Sequence, residues 1–402
     1  MRVVIIGNGI AGVTAARTLR EQDSETEIEI YTDEEHHFYP RPQLIELLAE
    51  RVLPERVVLH DERWYRDRGI AVHLQTEVAS LELEREQIVL QDGKRVGYDR
   101  LLLATGALPY LPEIPGIEHE GVFTLRRLAD ALVLKERALK AEELIVIGGG
   151  ILGLEAARAL RTTTGVRAYV LERRGWPLSR QLDRQGGELL MRQLEGVEIV
   201  TGAQSLRILG DGRVRGVELR DGRIIDGGLV LIATGIRPNV ALAREAGLEV
   251  NRGVVVDEHL QTSAPGVYAA GDVAEFDGRV YGIIPAALEQ ARVAALNILG
   301  EGAEYRGTVS SNTLHVAGIE LFSAGEVDPP PDGGFEEIRD QDEERGIYKK
   351  LVFKDGRLVG AILLGTRKNS VHLARLIAEG RDLSEYRERL LDDDFDFKPL
   401  QI

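Results

Sequence analysis

The chain has 402 residues, 44% hydrophobic and 29% charged, with a formal net charge of −16 and no cysteine. Length and composition predict a globular protein of two or three domains, and the acidity excludes sequence-independent binding to nucleic acid, whose phosphates need a basic surface. Without thiols this chain offers no redox or structural disulfide and no Cys-ligated zinc or iron–sulfur centre, so no metal is expected.

In chain order, residues 3–6 predict a buried strand, Gly7-Asn8-Gly9-Ile10-Ala11-Gly12 a tight turn, residues 11–21 a helix and residues 28–31 a second strand. The turn needs glycine three times. The first makes the bend, the second lets backbone approach a pyrophosphate, and the third lets helix pack closely on strand, while the helix N-terminus offers N–H groups and partial positive charge to phosphates. Asp33 and Glu34 follow the second strand; a carboxylate here either accepts hydrogen bonds from an adenosine ribose or is a loop charge, and the spacing does not choose between the two. The first strand starts at Arg2, leaving no room for a secretory segment, which predicts a cytoplasmic protein. Residues 70–90 alternate between apolar and polar and predict a small antiparallel meander. Residues 98–107 read as a buried strand ending in Ala104-Thr105-Gly106, where Gly106 either permits close approach to a cofactor or simply ends the strand. Pro109, Pro112 and Pro115 then mark a boundary.

Residues 121–240 repeat the plan: a strand at 144–147, Gly148-Gly149-Gly150-Ile151-Leu152-Gly153, a helix through Leu160, and a strand at 167–171 closing on Glu172. The run 144–160 is the most apolar in the chain, but its glycines, Glu155 and a length below the roughly 20 residues of a membrane span make it strand, turn and helix. Ala233-Thr234-Gly235 reproduces the ending at 104–106, a short echo consistent with two homologous halves. One glycine fingerprint alone equally marks any tight strand-to-helix turn; two in full context predict two bound dinucleotides. Residues 241–305 return to the first domain, with a strand ending in Gly271-Asp272 and a helix carrying Pro285 in its first turn. Residues 306–402 carry short strands at 349–353 and 358–364, a Pro329-Pro330-Pro331 loop, a helix at 370–379 and an acidic tail at 392–396. That last segment shows no chemistry of its own; a partner surface, a dimer contact, a cover over the cofactor and a purely structural role all stay open. The expected fold is α/β: a discontinuous dinucleotide-binding domain (1–113 and 245–305), a second one (114–244), both Rossmann-like, and a small α+β C-terminal domain (306–402).

These motifs in this order, with Tyr39-x-Arg41-Pro42 between them, resemble the FAD-dependent pyridine nucleotide oxidoreductases over nearly the whole chain. Within that group, Arg180-Gln181-Leu182-Asp183 and the run Pro285-Ala286-Ala287-Leu288-Glu289-Gln290-Ala291-Arg292 look most like NADH:rubredoxin reductases and the flavin module of assimilatory nitrite reductases. The resemblance implies a glutathione-reductase type of fold, with the NAD domain inserted in the FAD domain. It implies that Gly7, Gly9, Ile10, Ala11 and Gly12 cradle the FAD pyrophosphate, that Asp33 or Glu34 meets the ribose, and that Arg41 and Pro42 lie at the phosphates or adenine with the backbone of Val78. Ala104, Thr105, Gly106, Gly271 and Asp272 would approach the rest of FAD, Asp272 holding the ribityl chain, and the helix start at Pro285 and Ala286 would stabilise negative charge on the reduced ring. For NAD it implies Gly148, Gly150, Ile151, Leu152, Gly153, Glu172, Arg173 and Gly235.

Glu172 favours NADH, since a carboxylate accepts from a 2′-hydroxyl and repels a 2′-phosphate; Arg173 and Arg174 could pair with that phosphate, so NADPH stays open. No side chain is assigned as catalytic. The candidates are Glu155 and Glu46: relatives of the ferredoxin-reductase branch place Ser-Lys where Ile45-Glu46 stand, and their lysine pairs with the glutamate equivalent to Glu155. Glu46 beside Glu155 would raise one of the two pKa values; otherwise it is an exposed helix residue. The missing cysteine departs from peroxide-reducing and water-forming NADH oxidases and from disulfide reductases. The implied activity is hydride transfer from NADH to FAD and onward electron transfer to a small acceptor protein (rubredoxin, ferredoxin or a nitrite reductase component). A peroxide-forming NADH oxidase and a redox-sensing flavoprotein similar to apoptosis-inducing factors are the alternatives. The sequence does not fix the oligomeric state.

Overall fold

In a computed structural model the chain is described over residues 1–308, 311–316, 318–392 and 394–400; Asp393, in the expected acidic tail, lies outside the described residues. Two compact units result: Met1–Leu47, Arg51–Tyr110 and Ile236–Thr308 form the first, Leu48–Glu50, Leu111–Gly235 and Val309–Ile402 the second.

The first unit is built on a parallel sheet in the order Val267–Ala269, Arg100–Leu103, Arg2–Ile6, Glu27–Tyr31, Ile70–His73. Val3, Val4 and Ile5 are wholly buried, as expected of a central parallel strand covered on both faces. Helices Ile10–Gln22 and Ile284–Ile298 pack on each other, and both bury small residues in the same core, Ala15 and Ala16 on one and Ala287, Ala291, Ala294 and Ala295 on the other. Residues 70–73 correct the sequence expectation: they pair in parallel with the second strand, Ile28 opposite Ile70, and the antiparallel meander is formed by Val78–Glu82, Gln87–Leu90 and Arg95–Gly97. An edge strand alternates whether its neighbour runs parallel or antiparallel, so periodicity could not separate the two.

A buried carboxylate ties this sheet's edge together. Glu29 accepts from Arg2 Nε at 2.7 Å and from the Tyr31 hydroxyl at 2.6 Å, and its Oε2 lies 3.0 Å from His73 Nε2, with His73 stacked on Tyr31. Burial opposes ionisation of Glu29, but the hydrogen bonds from Tyr31 and Arg2 and the Arg2 charge outweigh it and hold the carboxyl below its ordinary 4.5. The same burial, with Glu29 as acceptor, pushes the Tyr31 phenol up.

The second unit repeats the parallel sheet, in the order Val197–Val200, Arg167–Leu171, Glu143–Ile147, Leu229–Ile232, Val122–Phe123. A three-stranded antiparallel sheet (Ser205–Gly210, Val214–Leu219, Ile224–Asp226) buries Ile208, Val217 and Leu219 with Ile145 and Ile147. The C-terminal segment adds an antiparallel sheet in the order Ser311–Val316, Ile319–Gly325, Arg357–Leu364, Ile347–Lys354, Phe335–Asp342. Helix Ser370–Glu379 covers it, Leu373 and Leu376 burying against Phe322, Leu351 and Leu363. The helix has the bounds that the sequence predicts, because Asn369 and Gly380, both left-handed, delimit it. Lys350, in the middle of this sheet, is fully buried; its Nζ lies 3.0 Å from Asp183 Oδ2 and 2.9 Å from Glu337 Oε1, and donates to the Val327 carbonyl.

The lowered pKa of Glu29 makes its contribution to stability complete above the ordinary glutamate value of 4.5 and loses it as pH falls through the folded value. Glu29→Gln is therefore expected to lower the urea midpoint at neutral pH, with a gap to the parent that narrows on acidification below 4.5. A gap unchanged through the acid titration refutes the role given to this carboxylate.

Candidate dinucleotide sites

The first fingerprint is a close crossing of three backbone segments. Gly7 ends the Arg2–Ile6 strand at φ +110°, where L side chains rarely sit, and its N–H donates to the Tyr31 carbonyl at 2.8 Å. A Cβ on Gly7 would stand 2.2 Å from the Ala104 carbonyl oxygen, and one on Gly12 would stand 2.0 Å from the Gly7 carbonyl oxygen. Gly9 is different: its conformation is ordinary, and a Cβ there would meet open space. It is the N-cap of helix Ile10–Gln22, which has no side-chain cap and no acidic residue in its first turn, leaving its end suited to an anion.

Several of the other residues expected at FAD lie near this crossing or near the end of the second strand. Gly271 lies between two helix starts, since a Cβ on it would be 2.9 Å from the Ala11 Cβ and 3.7 Å from the Ala287 Cβ. Ala286 is buried beside Ala287, Pro285 is exposed and Asp272 half-buried. Asn239 braces the Ala104-Thr105-Gly106 turn, donating from its N–H to Gly106 O and accepting from the Thr105 hydroxyl at 2.8 Å. Thr76 N–H donates to Thr32 O at 2.8 Å and Gln75 N–H to Glu34 O at 2.9 Å, which brings the chain leading to Val78 against residues 32–34. Of the two carboxylates, Asp33 is exposed, whereas Glu34 accepts hydrogen bonds from Tyr39 and Arg41. Burial works against the Arg41 charge, yet the Glu34 bond and charge outweigh it and raise the pKa of the guanidinium. Pro42 leads into helix Gln43–Leu48, where Glu46 lies 3.3 Å from Arg51 at the surface.

Local pattern did not reveal three side chains of this region. The Tyr65 hydroxyl donates to Asn8 Oδ1 at 2.9 Å from 57 residues away and accepts from Phe38 N–H; burial pushes its phenol up to about 12. The Asn8 Nδ2 is buried and meets no hydrogen-bond partner among the described residues, and the Gln290 Oε1 accepts from Gly271 N–H at 2.9 Å. Asn8 had a signal in its place within the first fingerprint and Gln290 in the run beginning at Pro285; Tyr65 had none.

The second fingerprint reproduces the first. Gly148 has φ +119°, its N–H donates to Leu171 O, and a Cβ on it would lie 2.4 Å from the Ala233 carbonyl oxygen. A Cβ on Gly153 would lie 2.1 Å from Gly148 O, and Gly150, the N-cap of helix Ile151–Thr164, faces open space. The repeated Ala-Thr-Gly endings thus have a physical reason, since in each half this alanine's carbonyl oxygen backs the first glycine. Glu172, at the end of strand Arg167–Leu171, accepts from Gly149 N–H at 3.0 Å through Oε2 and from Arg174 N–H at 2.7 Å through Oε1. The carboxylate is fixed beside the turn, and a Cβ on Gly149 would collide with it at 2.7 Å. Arg173 and Leu152 are exposed, Ile151 is half-buried at the helix start, Glu155 is half-buried on the same helix, and Gly235 lies just beyond strand Leu229–Ile232 with φ +123°.

Residues 1–294 match the family described as pyridine nucleotide-disulphide oxidoreductase, and residues 311–381 match the rubredoxin NAD+ reductase C-terminal domain. The chain belongs to the pyridine nucleotide-disulphide oxidoreductases. Among its relatives, the nitrite reductase [NAD(P)H] of Bacillus subtilis is 36% identical over 96% of this chain and 48% of its own length. The ferredoxin–NAD(+) reductase component of the biphenyl dioxygenase system of Paraburkholderia xenovorans is 36% identical over 82% of each chain. The ferredoxin reductase for the CYP199A2 system of Rhodopseudomonas palustris, a crystal structure, superposes over 100% of both chains with a TM-score of 0.89 and 27% identity. The chain spans about half the length of the nitrite reductase relatives that it matches.

Members of the family and its structural neighbours bind FAD and NAD(P)H, and both sites fit such groups: two glycine crossings without room for a Cβ, two uncapped helix ends facing open space, and in the first a buried Asn8 amide nitrogen with no partner among the described residues. Among the described residues no helix is long and apolar enough to cross a membrane.

Gly12→Ala and Gly153→Ala each force a methyl group against a carbonyl oxygen and are expected to cost about 1–3 kcal/mol. Gly9→Ala and Gly150→Ala, with open space at the Cβ, should change stability by less than about 1 kcal/mol. Urea unfolding of the four variants checks this; equal losses would refute the close-crossing account.

Proposed function

We propose that this chain is a flavoprotein reductase that takes hydride from NADH and delivers electrons to a small redox protein of rubredoxin or ferredoxin type, or to a nitrite reductase component. The observation that carries the reading is the duplicated crossing, one in each unit, with each helix end shaped for a diphosphate. FAD, when bound, supplies the chemistry: it accepts hydride from reduced nicotinamide and releases electrons to the acceptor.

The protein's part is binding and alignment. In the first unit Gly7, Gly9 and Gly12, with the N–H groups at Ile10 and Ala11, would hold the FAD diphosphate, and Asn8 Nδ2 would be a further donor to it. Glu34, oriented by Tyr39 and Arg41, is the carboxylate for the adenosine ribose in preference to exposed Asp33. Val78, Pro42, Ala104, Thr105, Gly106, Gly271 and Asp272 complete the walls, and the start of helix Ile284–Ile298, carrying Pro285 and Ala286, supplies positive dipole. In the second unit Gly148, Gly150, Ile151, Leu152 and Gly153 would hold the NADH diphosphate. Glu172, held by two backbone N–H groups, presents its remaining lone pairs to the 2′-hydroxyl. With no cysteine in the chain, no thiol relay lies between flavin and acceptor. The similarity to a ferredoxin–NAD(+) reductase over 82% of both chains, and the match to a rubredoxin reductase C-terminal domain, support an iron-protein acceptor. Cytoplasmic action, where NADH is produced, belongs to the same reading.

Anaerobic reduction by NADH followed by rapid mixing with rubredoxin, ferredoxin, a quinone or oxygen tests the proposal. One of the iron proteins is expected to reoxidise the flavin fastest. Fastest reoxidation by oxygen indicates a peroxide-forming oxidase, and a long-lived reduced state with every acceptor indicates a sensor; either outcome refutes the reductase reading. Glu172→Gln is expected to reduce the preference for NADH over NADPH by about tenfold or more, the weight of a hydrogen bond to a charged group; an unchanged ratio of kcat/KM values refutes the role of Glu172.

A further inference from the structure

One route from the C-terminal sheet to the second fingerprint runs through a carboxylate. Asp183 is the N-cap of helix Arg184–Gln193, its Oδ1 accepting from Gly186 N–H at 3.0 Å. Its Oδ2 accepts from the Tyr348 hydroxyl at 2.7 Å and from Lys350 Nζ at 3.0 Å, both on strand Ile347–Lys354. Asp183 and Lys350 are buried. Gly186 and Gly187 allow the approach: a Cβ on the first would lie 3.2 Å from the Tyr348 ring, and one on the second 2.5 Å from the Trp176 ring. Along the same helix Gln193 Nε2 donates to Gly346 O at 3.0 Å, and Arg192 lies 3.4 Å from Glu343.

From Asp183 the chain runs back to the second fingerprint through one side-chain and two backbone hydrogen bonds. Trp176 Nε1 donates to Leu182 O at 3.0 Å, and Leu182 N–H donates to Leu178 O at 2.8 Å. Leu178, held in the left-handed region at φ +53°, donates from its N–H to Gly149 O at 2.9 Å. Gly149 is also the residue whose N–H fixes Glu172. Residues 172–183 are thus a strap fastened at one end to the fingerprint and at the other to the C-terminal sheet.

We propose that Asp183 is a positioning residue for the second dinucleotide site: the C-terminal sheet, through Tyr348 and Lys350, sets the strap that shapes the Gly149–Glu172 pocket. The inference rests on the assignment of this site to NADH and adds a role for the C-terminal segment in reductant affinity. Asp183→Asn keeps the capping oxygen and removes the charge facing Lys350; Tyr348→Phe removes one hydrogen bond and leaves the packing. Calorimetry with ADP-ribose, which carries the adenosine ribose and diphosphate, reads the site without turnover, and NADH kinetics reads KM against kcat. For Asp183→Asn the ADP-ribose Kd and NADH KM are expected to rise about tenfold, with kcat within about twofold and flavin content unchanged; for Tyr348→Phe the rise should be about threefold. If Asp183→Asn does not fold, Tyr348→Phe decides alone. Parent-like ADP-ribose affinity and KM in the folded variants overturn the inference and leave the function standing. A parent protein that binds no ADP-ribose overturns the NADH assignment and the inference together.

Discussion

The organising constraint is a backbone contact that leaves no room for a side chain. In each unit the carbonyl oxygen of an alanine that follows a strand presses on the first glycine of the fingerprint, and the carbonyl of that glycine presses on the third. Helix and strands can approach this far only where both Cβ atoms are missing. The same closeness fixes the helix N-terminus over the strand ends, leaving its N–H groups unclaimed by any side-chain cap. The middle glycine is under no steric demand from the described residues in either copy.

Around these crossings the protein uses buried charge where it must join segments distant in sequence. Glu29 fastens Arg2, Tyr31 and His73 across the edge of the first sheet. Asp183 fastens helix Arg184–Gln193 to a lysine and a tyrosine of the C-terminal sheet. A buried ion pair contributes little net stability, because desolvation offsets its Coulomb energy, but removing one partner strands the other. In a family described by its disulphide chemistry, this chain keeps the two glycine crossings and has no cysteine.

Much of the candidate site was legible in the chain. The fingerprints, the strand-turn-helix context, the Ala-Thr-Gly echo and the helix 370–379 are local features, set within a few residues by hydrophobic periodicity and by glycine. Other parts were not legible. Spacing could not show that Tyr39 and Arg41 turn back on Glu34, because those hydrogen bonds depend on how the following loop folds. The strand at Ile70–His73 alternates like a meander strand, and only its neighbour shows that it closes the parallel sheet.

The amino-acid sequence by itself determined that there are two dinucleotide-type turns, where the strands and helices flanking them lie, and that no thiol chemistry is available in this chain. Those properties reside in residue types and in spacings no longer than a turn of helix. The tertiary structure alone decided which distant side chains complete them: Tyr65 on Asn8 across 57 residues, and Lys350 on Asp183 across 167. A buried polar atom must find a partner, and which partner it finds depends on where the chain returns, a consequence of packing the whole domain that no local pattern encodes.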